Sequence, residues 1–185
     1  MENKVALLVI DVQKVVTGKD AKIPFGYERC GDCINVANKL IAHAREKGWG
    51  IYYVAEATAW HQFIPAAVTH FNFMKGSEGV KFDERLDVVN GHVYNKMFAS
   101  ALSNRHLRKE LEAHRFERLV LCGLAADKCV AATARSAIAK GFRVTIASDA
   151  TIAETDEKAR EVYEELEKIG VQVEETSRLL TTWTP

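Results

Sequence analysis

The chain has 185 residues, 48% of them hydrophobic, and its 25 basic and 25 acidic side chains cancel. That size and hydrophobic content allow one substantial core and do not fit a disordered chain. Zero net charge, with no strong basic cluster, gives nucleic acid or an anionic membrane surface no electrostatic handle.

The first element in chain order is "VALLVID" (5–11), an apolar run of strand length, far short of a membrane span. It follows "MENK" without a cleavage-site pattern, so a cytoplasmic location is expected. Further strands are predicted at "WGIYYVA" (49–55), "HVYNK" (92–96), "RLVLCG" (118–123), "FRVTIAS" (142–148) and "VQVEE" (171–175). The first, second, fourth and fifth are nearly continuous apolar runs, the pattern of strands covered on both faces. Between them, 34–48, 106–114, the Ala-rich 129–141 and 156–170 read as helices. In the first of these Ile34, Ala37, Ile41 and Ala44 recur at helical spacing, and Gly48 stands as a stop. This alternation implies right-handed βαβ crossovers and a three-layer α/β/α fold. With no repeat or linker in view, 1–185 is expected to be one domain. Two long connections, 12–33 and 56–91, follow the carboxyl ends of predicted strands, where open α/β sheets bind ligands.

Three polar residues converge on that same edge: Asp11 closing the first strand, Lys96 closing the third and Cys129 after the fourth. Taken singly, they read as a turn former, a surface lysine and a small buried thiol. Together they read as chemistry. A thiol at a helix N-terminus beside an ammonium is expected to have a lowered pKa, and a carboxylate beside it can take and return a proton. Backbone N–H groups ahead of the helix ladder are free to bind an oxyanion.

The pieces "LLVIDVQ" (7–13), "NKMFASAL" (95–102) and "LVLCGLAADKCVAATARSAIAKGFRVTIASDA" (119–150) resemble the isochorismatase-like cysteine hydrolases, a family that includes nicotinamidases, N-carbamoylsarcosine amidases and ureide amidases. The resemblance implies a six-stranded, mainly parallel sheet and an Asp-Lys-Cys triad falling on Asp11, Lys96 and Cys129. It also implies a cis peptide between Leu124 and Ala125, and an oxyanion hole from the N–H groups of Ala125 and Cys129. Family members are commonly homo-oligomers, so a homo-oligomer acting on a small molecule is expected, with no nucleic-acid or membrane partner. Gln13, Val16 and Trp60 are the candidate substrate-binding residues; Val16 stands where many members carry a Phe. Metal-binding nicotinamidases carry an Asp-x-His after the second strand, and Thr58 and Trp60 align there instead. No metal and no cofactor are therefore expected, although Glu56, His61 and His70 remain nearby and could regroup around a metal.

Three other readings stay open at this level. Isochorismatases proper cleave a vinyl ether and commonly lack the cysteine, so Cys129 favours an amide or ureide carbonyl. A non-catalytic binding module on the same fold is the second. The third is a thiol–disulfide protein built on Cys30 and Cys33, a Cys-x-x-Cys just before a predicted helix.

Overall fold

The computed structural model describes residues 4–21, 25–57 and 73–182. Six strands form one sheet in the order β3-β2-β1-β4-β5-β6, every neighbouring pair parallel. They are β1 Val5–Ile10, β2 Gly50–Glu56, β3 Val93–Lys96, β4 Arg118–Leu124, β5 Arg143–Ile152 and β6 Gln172–Glu174. Helices α1 Lys14–Thr17, α2 Tyr27–Glu46, α3 Arg105–Ala113, α4 Ala131–Ala139, α5 Asp156–Glu167 and α6 Thr176–Thr182 connect and follow them.

Strand periodicity sorts the apolar residues onto two faces. Val5, Leu7 and Val9 of β1 join Ile51, Tyr53 and Val120 beneath α2, which contributes Ile34, Ala37, Leu40 and Ile41. Ala6, Leu8 and Ile10 join Val54, Leu119 and Leu121 on the other face, beneath α3, α4 and α5. Each fully buried aliphatic side chain contributes about 1.5–3 kcal/mol, so the central strands carry much of the fold's stability. Ala131, Ala134 and Ala137 let α4 lie close to the sheet.

Three details differ from the sequence expectation. Helix α2 begins at Tyr27, not near residue 34, so the Cys-x-x-Cys lies inside it. Gly31 weakens local propensity there, but Arg85 Nη1 lies 3.0 Å from where a Cβ would stand, packed against the glycine; tertiary packing overrides propensity. Strand β5 runs on to Ile152 because its register against β4 shifts between the Leu121–Ile146 and Gly123–Thr151 pairs. The bulge carries Asp149, whose Oδ1 accepts from the Thr176 backbone N–H and hydroxyl at the start of α6. Finally, Cys129 does not start an α-helix. A π-helical turn, Ala126–Val130, precedes α4, and the Val130 N–H donates to the Ala125 carbonyl at 3.1 Å.

Candidate active site

Asp11, Lys96 and Cys129 reach one point from three elements. Asp11 directly follows β1 with φ 53°, a left-handed conformation that Asp tolerates better than most residues. Its N–H donates to Val54 O at 2.8 Å, and the chain turns at once, with the Gln13 N–H donating to Asp11 O at 2.8 Å. Lys96 ends β3, in register with Glu56 at the end of β2. Cys129 comes off the π-helical turn after β4. Gly123 brings β4 against β1: a Cβ there would lie 2.0 Å from Ile10 O, and φ is 110°. The Leu124–Ala125 peptide that follows is cis.

The Lys96 ammonium is the centre of the cluster. Nζ lies 2.9 Å from Asp11 Oδ2, 3.2 Å from Glu56 Oε2 and 3.2 Å from Cys129 Sγ. Those acceptors match an ammonium's three hydrogens in number. Asp11 Oδ1 is buried with no hydrogen-bond partner among the described residues, which leaves it open to a proton. Asp11, Glu56 and Cys129 each offer a ligand atom within 4.8 Å of the others, spacing that could hold a metal ion. The residues fit a cation poorly beyond the one they have, because Lys96 already supplies the positive charge to all three.

Electrostatics correct one expectation. Burial pushes the Cys129 thiol up and the Asp11 carboxylate adds to that, while Lys96 opposes, a direction opposite to the lowered value expected at a helix start. Burial also raises Asp11, against the pull of Lys96. For Lys96 burial disfavours the charge, but Asp11, Cys129 and Glu56 together outweigh it and hold the ammonium firmly protonated.

Around the cluster, Thr133 ties two elements together. Its buried hydroxyl donates to Cys129 O at 2.7 Å and accepts from the Ala101 N–H at 2.9 Å, in the segment after Lys96. Gln13 is fully buried and grips Glu56 by its backbone: Nε2 donates to Glu56 O and Val80 O, and Oε1 accepts from the Glu56 N–H, all at 2.9 Å. Its amide is committed to main chain rather than offered to a ligand. Val16 is buried in the core beneath α2. Trp60, Thr58, His61 and His70 lie outside the described residues. Glu56 and Thr133 were not assigned to the triad by sequence reading. Thr133 carried a signal, its i+4 spacing from Cys129 on a helix face; Glu56 was noted only beside His61 and His70, and its place at Lys96 follows from the strand register.

Two surface clefts, of about 420 and 570 Å³, are lined by residues of α5 with β5, and of α1 with 77–85. Neither is lined by Asp11, Lys96 or Cys129. Among the described residues no helix is long and apolar enough to cross a membrane.

A parallel α/β sheet thus carries a buried carboxylate, a buried ammonium and a partly exposed thiol at its carboxyl edge. The isochorismatase domain model matches residues 5–178, and the chain belongs to the isochorismatase family. It is 29% identical over 151 residues to the isochorismatase family protein YddQ of Bacillus subtilis, covering 78% of this chain and 76% of that protein. Among solved structures it is similar to nicotinamidase PncA from Bacillus subtilis, with 25% identity, TM-score 0.82, and 93% of this chain and 100% of that one covered. N-carbamoylsarcosine amidase from Thermoplasma acidophilum shares the fold at 23% identity, TM-score 0.81, with 94% and 96% covered.

Proposed function

We propose that this isochorismatase-family hydrolase cleaves a C–N bond of a small amide or ureide through a thioester on Cys129. The observation that carries this reading is the Lys96 ammonium held within 3.2 Å of both the Cys129 sulfur and an Asp11 oxygen. Asp11 takes the thiol proton, and the sulfur attacks the substrate carbonyl carbon, forming the C–S bond. The oxyanion is bound by the N–H groups of Ala125 and Cys129, at the turn before the α4 ladder begins. As the C–N bond breaks, Asp11 returns its proton to the departing nitrogen. Water then attacks the thioester, its proton passing to Asp11 and from there to the Cys129 sulfur. Lys96 stays protonated throughout and stabilises whichever of its neighbours is ionised. No metal or cofactor enters this scheme. Similarity to a nicotinamidase and an N-carbamoylsarcosine amidase supports an amide carbonyl as the target.

The test is a screen of small amides and ureides for ammonia release, run beside Cys129→Ala. Turnover in the variant is expected to fall by on the order of 10³-fold or more. Full turnover in the variant on the substrates that the native chain accepts would sink the assignment.

A further inference from the structure

The catalytic scheme gives Asp11, Lys96 and Cys129 their tasks and leaves Glu56 without one. Yet Glu56 is held as firmly as any of them. Gln13 bonds both its N–H and its carbonyl, and its carboxylate sits on Lys96. Its side chain is 16% exposed, against 6% for Asp11 and 0% for Lys96. It is therefore the charged member of the cluster closest to incoming molecules.

Two carboxylates face one ammonium. That imbalance persists when the thiol proton moves to Asp11, because the thiolate then replaces the Asp11 charge. The neighbouring sequence brings no net permanent positive charge, His61 and His70 being the only groups in 57–72 that can take one. Residues 57–72, directly after Glu56, contain no Lys or Arg, and on the π-helical turn Asp127 and Lys128 bring one charge of each sign. We propose that Glu56 is a specificity-determining residue: it keeps the reacting centre electronegative, so the site takes small amides or ureides that are neutral or cationic beside the scissile carbonyl and rejects those carrying a carboxylate there. The substrate class rests on the amide reading above; the charge selectivity rests on the cluster alone.

A pair of alkylating reagents reads that selectivity without any substrate. Iodoacetamide and iodoacetate attack the same thiolate and differ by one negative charge, so their rate ratio at Cys129 cancels the thiolate fraction. The native chain should favour iodoacetamide more strongly than free cysteine does. Glu56→Gln should reduce that preference about tenfold, the scale of one charge acting over a few ångströms in a partly buried site. Glu56→Asp, which keeps the charge, should retain most of it, and a purely structural role would not separate the two variants. A Gln variant with the native ratio, or a native ratio no greater than that of free cysteine, would overturn the proposal. A chain that released no ammonia from any amide but kept this discrimination would remove the amide reading and leave the role of Glu56 standing.

Discussion

Cys30 and Cys33 occupy the first turns of α2, and Cys129 the π-helical turn before α4. All three are cysteines near the start of a helix, and all three are pushed up by burial. Cys30 reaches about 11 and Cys33 about 12. The difference lies in what stands beside the sulfur. Cys30 and Cys33 are buried in the core under the sheet, among Ile34, Ala37 and Leu124. Cys129 is partly exposed, with an ammonium at 3.2 Å and an unpartnered carboxylate oxygen in the same cluster. A helix start does not by itself activate a thiol; a counter-charge and a proton acceptor do. This contrast also weighs against a dithiol function for the Cys-x-x-Cys, whose sulfurs are closed to solvent.

The contrast breaks most severely if the ammonium is removed. Lys96→Met leaves Asp11 and Glu56 without their cation, and breaking such a buried pair costs about 3–5 kcal/mol, with turnover lost as well. The pH dependence has a definite sign. Asp11 is already raised in the folded chain, and loss of Lys96 raises it further, so the fold resists its ionised form. The deficit should therefore grow as pH rises and shrink as pH falls and Asp11 takes up a proton. Urea unfolding of both proteins at pH 5 and pH 8 checks this; a deficit equal at both would make Lys96 a packing residue only. Thr133→Val tests the support beneath Cys129. It leaves Cys129 O and the Ala101 N–H without their partner, an expected cost of about 1–3 kcal/mol, with a several-fold fall in turnover. Unchanged stability and activity would show that the turn holds its shape without Thr133. Cys33→Ala should do least, costing about 1 kcal/mol while turnover stays within about twofold. A large loss of activity at native stability would return a chemical role to the Cys-x-x-Cys pair.

Much of this architecture was legible in the sequence because its strands are written in apolar residues that fit only a sheet covered on both sides. "VALLVI" and "RLVLCGL" needed no context to be placed centrally, and the Asp-Lys-Cys grouping followed from strand ends. Less legible were features that depend on partners far along the chain. The start of α2 at Tyr27 was hidden by Gly31, which makes sense only with Arg85 packed over it. The π-helical turn moved Cys129 off the helix N-terminus, and burial reversed the expected direction of its pKa. Glu56 looked like the first residue of a loop. Its place opposite Lys96 is a matter of parallel register between β2 and β3, which no local pattern encodes.

Gly123 gives the last point a length scale. A methyl group at that position would overlap Ile10 O, so only glycine fits where β4 pairs with β1, just before Asp11 leaves one strand and the turn bearing Cys129 leaves the other. Asp11 and the turn bearing Cys129 thus leave the sheet from directly paired positions on two adjacent strands. A side chain at position 123 would have to push those strands apart, and the bases of Asp11 and Cys129 would move with them.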